Sequence, residues 1–525
     1  MSPPRCFWAA SSVASAAAAL QRRAASSGRA GWTAVQQGLP NHEATGVPQG
    51  AGKDGPEGFD LGRMHRLLQS MGNPHHQFPV VQVVGTKGKG STAALLTNIL
   101  RAAGYTVGLY TSPHVLHEGE RISCGPAGAG HMPEDALQQL REAQAPVVGE
   151  AQAAEGGALS HFEVMTALAF THFQQQKVDI AVVEAGLGGE RDATNVFPPA
   201  GQLLSIVTAV GMDHQAALGD SVAEIATVKA GIAKPGAPLL LAHQPHADAA
   251  AAVAAVAANK GCRLLEADAE VRVRSRGVSG AEEGRLAELL DVEVVRGEGG
   301  GAGMRLETVP CRLLGEHQGR NVAAAVAAAA LLAERGWDGI TAAAVREGIA
   351  ATTLPGRLQA MSAIKDGRRQ WLVLDAAHTP ESAQALCETL RRALPERPVA
   401  LVLAMLEDKD IRGVAAALRE LLPRVVIFTS VDSAGAGGSA ARAANTGALS
   451  AAWQMAGARA ARRRRARELV QASMEAAVAK ALAEVQAHEG DGVVVVTGSF
   501  TAVGAAMRTL TFREFYQAPA QRHGP

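Results

Sequence analysis

From Asp60 onwards, short apolar runs alternate with longer segments in which apolar residues recur every three or four positions. The short runs are typical of buried strands and the longer segments of amphipathic helices. In the first half of the chain the pattern predicts these strands: Val80–Val84, Thr106–Tyr110, Ile180–Glu184, Leu203–Val210 and Pro238–Ala242. It predicts these helices: Leu61–Ser70, Ser91–Ala103, Glu134–Gln144, Glu163–Gln175 and Val222–Ala233. Alternation of this kind indicates a mostly parallel, doubly wound α/β sheet.

A second αβ series follows a predicted hinge near residues 352–356. Its predicted strands and helices are Trp371–Asp375, Glu381–Ala393, Val399–Leu403, Ile411–Leu422, Val425–Thr429, Ala466–Gln486 and Gly492–Val496. We therefore expect a central domain over 58–353, with a β-rich, flexible excursion at 268–312, and a smaller Rossmann-like domain over 356–525. Residues 433–465 are rich in Gly, Ala and Ser and then in Arg, which predicts a disordered insertion.

The composition excludes several classes of protein. The 525 residues are too many for one ordinary core, and the 50 basic and 50 acidic residues leave no net charge. This balance argues against nucleic acid as the main partner. The five cysteines lack C-x-x-C spacing and are typical of free thiols in a reducing compartment. No apolar run is long enough to predict a membrane span.

The N-terminus has a composition of its own. Residues 1–42 contain no Asp or Glu, and Arg5, Arg22, Arg23 and Arg29 stand among Ala and Ser. Such a segment is typical of an organelle transit peptide. We expect residues 1–45 to be a disordered transit peptide, cleaved somewhere within 20–45, that directs the protein to the mitochondrial matrix. A chloroplast address, or an alanine-rich tail on a cytosolic protein, is the alternative.

A glycine-rich turn joins the first predicted strand to the next helix. It contains Gly85, Thr86, Lys87, Gly88, Lys89, Gly90 and Ser91. Glycines let backbone N–H groups wrap around phosphates, the helix N-terminus adds its positive dipole end, and Lys89 adds a charge. The common P-loop pattern places Ser or Thr directly after the lysine. Here Gly90 intervenes, so a glycine turn without a ligand is the alternative.

Other polar residues also follow predicted strand ends. Ser112 and Glu184 do so, as does the Gly-Met-Asp-His turn that ends at His214. Ligands of doubly wound sheets bind outside the carboxyl ends of the strands, so these residues should share one rim. A carboxylate that ends an apolar strand, as Glu184 does, is costly to bury unless it is paired or bound to a metal.

Four motifs together are similar to the folate branch of the Mur ligase superfamily, which comprises dihydrofolate synthase and folylpolyglutamate synthase. They are G-T-x-G-K-G-S at 85–91, T-S-P-H at 111–114 with E-R-I at 120–122, E-A-G-L-G-G at 184–189, and D-A-T-N at 192–195. The resemblance runs from about Phe59 to Arg508. It implies a P-loop ATPase domain followed by a Rossmann-like ligase domain, and a monomeric enzyme that couples a carboxylate to glutamate through an acyl phosphate.

The resemblance also implies roles for individual residues. It implies ATP as co-substrate, bound by the loop 85–91 together with Asn321, Arg357 and Asp375. Two Mg²⁺ ions, with K⁺ as a further candidate ion, would be held by Ser112, Glu184, His214 and Lys229. Lys89, Lys229 and His378 would be catalytic, and Lys229 would be carboxylated on Nζ by CO₂. Thr379 departs from the family form D-x-A-H-N-P, which puts one hydrogen bond near the nucleotide in doubt.

The acid substrate decides the activity. Ser160, His161, Phe162 and Glu163, with Arg191, Asp192 and Ala193, match family positions that bind dihydropteroate. An aromatic ring can stack on a flat pterin and a carboxylate can bind its N–H groups. The motif L-S-H-F-E-V resembles plant- and bacterial-type dihydrofolate synthases.

We therefore expect a dihydrofolate synthase, with folylpolyglutamate synthase activity, alone or in the same protein, as the alternative. A P-loop ATPase of another class, a non-catalytic nucleotide-binding protein and a wall-building Mur ligase explain fewer of the motifs.

Overall fold

A seven-stranded sheet organises the first half of the chain in the computed structural model, which describes residues 31–52, 59–295, 303–431, 443–457, 466–488 and 490–517. Its order is β3-β2-β4-β1-β5-β6-β7, and only β3 runs antiparallel to its neighbour, β2. The strands are β1 Val80–Val84, β2 Val107–Tyr110, β3 Ile122–Gly125, β4 Ile180–Glu184, β5 Gln202–Val207, β6 Leu239–Leu241 and β7 Leu264–Glu266. Because β1, β2, β4 and β5 are parallel, their carboxyl ends meet at one edge of the sheet.

Three of the described helices in this part of the chain precede β1, and the others follow it. In chain order, the helices are Trp32–Gln37, His42–Thr45, Leu61–Ser70, Lys89–Ala102, Glu134–Ala154, His161–Gln175, Gln215–Leu218, Val222–Ala230, Ala247–Asn259, Ala267–Glu270, Glu316–Ala333 and Ala342–Ala351. The helix beginning at Glu134 runs ten residues beyond its predicted end at Gln144, through Pro146. The prediction stopped too early because proline usually breaks a helix interior.

The excursion contains a three-stranded sheet of order β10-β9-β8. Its strands are β8 Val271–Ser279, β9 Ala287–Val294 and β10 Arg305–Cys311. The chain divides into two compact units, and the division falls within each of these strands. The first unit comprises Met1–Arg274, Asp291–Glu307 and Gly319–Ala351, and the second comprises Ser275–Leu290, Thr308–Gln318 and Thr352–Pro525.

The second unit contains a six-stranded sheet of order β11-β12-β16-β13-β14-β15. Its strands are β11 Gln359–Lys365, β12 Arg368–Leu374, β13 Val399–Leu403, β14 Val425–Phe428, β15 Arg467–Val470 and β16 Gly492–Thr497, with only β11 antiparallel to its neighbour. Its helices are Pro380–Ala393, Ile411–Leu418, Thr446–Gly457, Met474–Gln486, Phe500–Met507 and Leu510–Gln517. Leu286 and Leu314 complete its core, so it draws on chain that precedes residue 352.

Part of the predicted disordered insertion is ordered. The helix Thr446–Gly457 lies within 433–465, and its buried Leu449 and Trp453 belong to the core of the second unit. The prediction was wrong here because low-complexity composition concealed two large apolar residues four positions apart, which share a helix face. Residues 433–442 and 458–465 of that segment lie outside the described residues.

The predicted helix Ala466–Gln486 also divides. Arg467–Val470 forms β15 and pairs in parallel with β14, and the helix begins only at Met474. Ser473 accepts a hydrogen bond from Ala476 N, which makes it the N-cap. The helical prediction was wrong over β15 because its strand conformation depends on a neighbouring strand that is remote in sequence.

The last part of the predicted transit peptide is folded. Trp32, Val35 and Leu39 are buried in the core of the first unit, and Glu43 forms an ion pair with Arg121. The prediction of disorder was therefore wrong for residues 31–45. It was based on the absence of acidic residues, which does not show whether the apolar side chains of a segment can pack into the core. Residues 1–30 lie outside the described part of the chain. Among the described helices, none combines the length and the apolar character needed to cross a bilayer.

Candidate active site

The glycine-rich loop after β1 needs its glycines. Gly85 and Gly88 have φ angles of 154° and 90°. A Cβ atom on Gly85 would lie 1.9 Å from Thr208 Oγ1, and one on Gly88 would lie 2.3 Å from Asn321 Oδ1. The loop therefore packs too tightly for side chains, and it places Asn321 next to the start of the helix Lys89–Ala102.

Hydrogen bonds tie this loop to the chain that leaves β5. The backbone N–H groups of Thr86 and Lys87 donate to Ala209 O at 2.9 and 3.0 Å. Thr86 Oγ1 lies 3.2 Å from both O and N of Gly211. The loop predicted to bind phosphates and the turn that carries Asp213 and His214 are thus held together.

Glu184 ends β4 and is 4 % exposed. Its Oε2 accepts a hydrogen bond from Ser112 N at 3.2 Å, and its Oε1 lies 4.0 Å from Lys89 Nζ. A Cβ atom on Gly90 would lie 3.4 Å from Glu184 Oε2, an ordinary van der Waals contact, so Gly90 adjoins this carboxylate. The structure therefore brings together the three predicted residues Lys89, Ser112 and Glu184.

Lys229 reaches the same loop from the helix Val222–Ala230. Its side chain is buried, and Nζ donates to Gly85 O at 3.0 Å. Burial, reinforced by the positive charge of Lys89, lowers the pKa of Lys229 to about 7, although Asp213 and Asp192 oppose the shift. An appreciable fraction of Lys229 is therefore neutral at physiological pH.

His214 is more open. It has a left-handed backbone with φ 50°, its side chain is 49 % exposed, and its Nε2 lies 3.9 Å from Asp213 Oδ1. Burial raises the pKa of Asp213, but the charges of His214, Lys87 and Lys89 reverse this and lower it. Within the described ranges, no three His, Cys, Asp or Glu residues have a metal-binding arrangement. The buried carboxylate of Glu184 is nevertheless the hard oxygen ligand that Mg²⁺ prefers.

Ser160 and Glu163 form a capping box at the start of the helix His161–Gln175. Glu163 Oε2 accepts from Ser160 N and Ser160 Oγ, and Oε1 accepts from Arg63 Nε at 2.9 Å. Both carboxylate oxygens of Glu163 are thus engaged within the protein. The S-x-x-E spacing is a known signature of a helix start, so the sequence contained a signal for this structural role.

Phe162 is half-buried and lies over the backbone that follows Glu184. A Cβ atom on Gly186 would lie 2.4 Å from Phe162 Cζ, and the Tyr110 ring centroid is 6.1 Å away. Within the E-A-G sequence, Glu184 is therefore followed two residues later by Gly186, whose backbone is covered by the Phe162 ring. Its neighbour His161 is buried, with Nε2 2.6 Å from Glu118 Oε1.

Asp192 is fully enclosed. Its Oδ2 accepts from Leu187 N at 2.7 Å, and its Oδ1 accepts from Thr194 N at 2.9 Å and from Thr194 Oγ1. Burial raises the pKa of Asp192, and these hydrogen bonds oppose the shift. Beside it, Ala193 is buried and Arg191 Nη1 donates to Phe59 O at 2.9 Å.

Sequence reasoning missed a residue behind this turn. Gln82 Nε2 donates to Thr194 Oγ1 at 2.9 Å, which makes Gln82 part of the hydrogen-bonded chain that ends at Asp192. The signal was a polar residue within the apolar run V-V-Q-V-V, because buried polar groups usually have a specific partner.

The second unit holds the remaining predicted residues. Asp375 follows β12 and accepts from Leu358 N at 2.7 Å and from Ala377 N at 2.9 Å. Burial raises the pKa of Asp375 to about 6, against these bonds and the charge of Arg357. The guanidinium of Arg357 lies 4.5 Å from the centroid of the Phe500 ring.

His378 and Thr379 begin the next helix. His378 Nδ1 lies 2.8 Å from Ala376 O, and Thr379 caps the helix Pro380–Ala393 in a capping box with Ser382. Thr379 thus caps the helix at the position where the family pattern has asparagine, another residue that is favoured as an N-cap.

Comparison with known proteins agrees with this architecture. Residues 356–500 match the family model "Mur ligase, glutamate ligase domain". The chain is 33% identical over 364 residues to folylpolyglutamate synthase of Lacticaseibacillus casei, covering 68% of this chain and 78% of that protein. It is 31% identical over 383 residues to the dihydrofolate synthase/folylpolyglutamate synthase of Bacillus subtilis, covering 71% of this chain and 81% of that protein.

Among solved structures, Mycobacterium tuberculosis folylpolyglutamate synthase complexed with ADP and AMPPCP is similar with a TM-score of 0.68 and 30% identity. The match covers 85% of this chain and 94% of that one. Matches of this identity and coverage, together with a mostly parallel α/β fold and a glycine-rich loop at a strand end, establish the family. The chain belongs to the dihydrofolate synthase/folylpolyglutamate synthase family of Mur ligases, a family of ATP-dependent ligases, and it is an enzyme of that class.

Proposed function

We propose that the protein is a dihydrofolate synthase, which joins L-glutamate to 7,8-dihydropteroate at the expense of ATP. One observation carries the proposal. Glu184 lies beside Lys89 and Ser112, and Gly186, two residues later, lies under the Phe162 ring. The residues suited to bind phosphate and the aromatic ring suited to stack on a pterin therefore lie next to each other at the end of β4. The names of the relatives, which include both folate activities, support the same substrate class.

The reaction has two steps. A carboxylate oxygen of dihydropteroate attacks the γ-phosphorus of ATP, and ADP leaves with the electrons of the broken P–O bond. The amine of glutamate then attacks the acyl carbon, phosphate leaves, and the nitrogen loses a proton to give the amide. Lys89 and the N–H groups at the start of the helix Lys89–Ala102 would neutralise phosphate charge, which is the main demand of phosphoryl transfer.

We propose Ser112, Glu184 and His214 as Mg²⁺ ligands. Bound Mg²⁺ would neutralise the phosphates and orient the γ-phosphoryl group. Glu184 fits this role through its buried carboxylate, and Ser112 has a hydroxyl oxygen and donates its backbone N–H to that carboxylate.

Lys229 is proposed to carry a carboxyl group. Its lowered pKa leaves neutral amine, and only the neutral amine adds CO₂ to form a carbamate with loss of a proton. The carbamate would place a negative charge beside Gly85, whereas the protonated amine of Lys229 is repelled by the positive charge of Lys89. In the second unit, we propose that Arg357, Asp375 and His378 contact the nucleotide.

Folylpolyglutamate synthase activity, alone or in the same protein, is the alternative, because the Lacticaseibacillus casei relative is named for that activity alone. It differs in the acid substrate, a folate that already carries glutamate. The capping box at Ser160 and Glu163 does not distinguish the two activities, since it serves the helix itself.

A substrate panel tests the proposal. Protein lacking residues 1–30 is given ATP, Mg²⁺ and glutamate with either dihydropteroate or tetrahydrofolate, and the products are identified by mass. We expect one glutamate on dihydropteroate, and an activity loss of about 100-fold or more in Lys89→Met. Lys480→Met is the control, because Lys480 is an exposed residue paired with Glu484 in the second unit.

The panel separates the alternatives. Extension of tetrahydrofolate alone would assign the protein as a folylpolyglutamate synthase, and use of both acids would establish a bifunctional enzyme. ADP release without any amide product would refute the assignment of this chain as a working folate ligase.

We further propose a monomeric protein imported into the mitochondrial matrix, with chloroplast and cytosol as the alternatives. The support is the acid-free, arginine-containing sequence before Trp32. Residues 1–30 fused to a fluorescent protein should direct it to mitochondria, and diffuse cytosolic fluorescence would contradict this. Light scattering of the purified enzyme should give the mass of one chain.

A further inference from the structure

A segment before the glycine-rich loop contacts several parts of the candidate site. This segment, residues 31–52, is here called the N-terminal strap. Pro40 O accepts a hydrogen bond from His161 N at 2.9 Å, next to Phe162. Gly50 N donates to Ala216 O at 2.8 Å, two residues after His214. The strap thus touches the start of the helix that carries Phe162 and the helix that follows His214.

The middle of the strap forms an ion pair with a buried arginine. Glu43 Oε1 accepts from Arg121 Nη1 at 2.9 Å, and its second oxygen accepts from Nη2. The Arg121 side chain is 1% exposed, and among the described residues Glu43 is the only carboxylate within ion-pair distance of it. Removing one partner from such a pair leaves a buried charge uncompensated, so Arg121 depends on Glu43 for its position.

Arg121 in turn holds the loop that contains Ser112. Its Nε donates to His114 Nδ1 at 3.0 Å, and its carbonyl accepts from Thr111 N at 2.9 Å. The preceding residue, Glu120, accepts from Val115 N at 2.7 Å. The E-R-I motif therefore holds both ends of the segment 111–115.

The same loop contacts Glu184 through a hydrogen bond that Ser112 N donates at 3.2 Å. A shift of Arg121 would move His114 and Thr111, and with them Ser112. The hydrogen bond from Ser112 N to Glu184 would then break, and Ser112 would leave the proposed Mg²⁺ site. The backbone of residues 111–114 would transmit the shift of Arg121 to Ser112.

We propose that Glu43 is a positioning residue of the ligase: it fixes Arg121, and through Arg121 the Ser112 loop, at the proposed Mg²⁺ site. The inference rests on the proposed function, because Ser112 and Glu184 are proposed Mg²⁺ ligands there. The strap would therefore support the catalytic site, with Glu43 acting through Arg121.

The test uses protein lacking residues 1–30 and the variants Glu43→Gln and Arg121→Lys. Glu155→Gln is the matched control, since Glu155 pairs with the exposed Arg66 on the same unit. Two quantities are measured: the Mg²⁺ concentration that gives half-maximal ligase activity, and the rise in melting temperature caused by Mg²⁺ with AMPPCP. The second measurement needs no turnover.

We expect Glu43→Gln to raise the half-saturating Mg²⁺ concentration about tenfold, as loss of a partner behind a metal ligand typically does. It should also reduce the stabilisation by Mg²⁺ and AMPPCP, whereas Glu155→Gln should match the parent protein. Arg121→Lys keeps the charge but lacks Nε, and should show the same change.

An unchanged Mg²⁺ dependence in Glu43→Gln, even with a lower melting temperature of the free protein, would overturn the proposal and make the strap purely structural. If Glu43→Gln does not fold, a parent-like Arg121→Lys would overturn it equally. Absence of ligase activity in the parent protein would instead refute the proposed function, and the melting measurement would still decide the role of Glu43.

Discussion

At the scale of single residues, burial determines the chemistry of Lys229 more than its sequence neighbours do. The lysine lies on a helix whose sequence also allows a surface pair with Glu224, but the structure buries it against Gly85. A buried ammonium loses hydration that one carbonyl oxygen does not replace, so its neutral form is favoured.

The pKa of Lys229 leads to a prediction about stability. Its folded pKa, about 7, lies below the ordinary value of 10.5, so between these pH values the unfolded chain binds a proton that the folded chain does not. The free energy of unfolding contributed by Lys229 therefore rises with pH in this window. Relative to Lys229→Met, the parent protein should gain stability between pH 7 and pH 9.5.

Urea unfolding in CO₂-free buffer at both pH values measures this difference. Subtracting the value for Lys229→Met from that for the parent removes the contributions of the groups that titrate alike in both proteins. Lys234→Met is the control for a lysine whose pKa is lowered less, to about 8. A stability difference between Lys229→Met and the parent that does not change with pH would show that Lys229 is charged in the folded protein.

The placement of Lys89, Ser112 and Glu184 near one another could be predicted, because all three lie near the ends of neighbouring parallel strands. Glu184 followed from a carboxylate at the end of an apolar strand. Arg121 could not be predicted in the same way: the motif E-R-I was visible, but its partner Glu43 is 78 residues away. Pairs of this kind are decided by the fold alone.

At the scale of elements, the helix Thr446–Gly457 shows how two large residues outweigh a low-complexity background. Trp453 is buried, its ring lies 4.7 Å from the Arg419 guanidinium, and Arg419 Nη1 donates to its carbonyl at 2.7 Å. The helix is therefore fixed by its tertiary contacts, and its many small residues contribute little.

Trp453→Ala should lower the free energy of unfolding of the second unit by about 3–5 kcal/mol, the usual cost of removing a buried aromatic side chain. Guanidinium unfolding with a probe in that unit measures the change. Met455→Ala, at a position that is 55% exposed, should change stability by less than about 0.5 kcal/mol. Equal effects of the two substitutions would mean that the helix does not pack as described.

At the scale of the whole molecule, chain order and structural units differ. The second unit takes Ser275–Leu290 and Thr308–Gln318 from the chain before residue 352. Arg392 pairs there with the buried Glu288 at 3.2 Å. A boundary at residue 356 is what a linear pattern suggests, but it would remove Leu286 and Leu314 from the core.

The N-terminal strap gives the prediction at this scale. Protein that starts at residue 31 should keep the stability of the full chain. Protein that starts at residue 46 loses the buried side chains of Trp32, Val35 and Leu39, roughly 5 kcal/mol of apolar burial, and should melt roughly 10 °C lower. Melting curves of both truncations decide this, and melting temperatures within 2 °C of each other would show that the strap adds no stability.

The sequence by itself determined most of the parallel strands, several of the longer helices and the residues at the sheet's carboxyl edge, because these depend on local periodicity and on motifs of a few residues. It also sufficed to recognise the ligase family. Only the tertiary structure decided that Glu163 pairs with Arg63, that the strap holds Arg121, and that β15 is a strand. Each of these depends on contacts between residues distant in the chain, whose free energy appears only when folding brings them together.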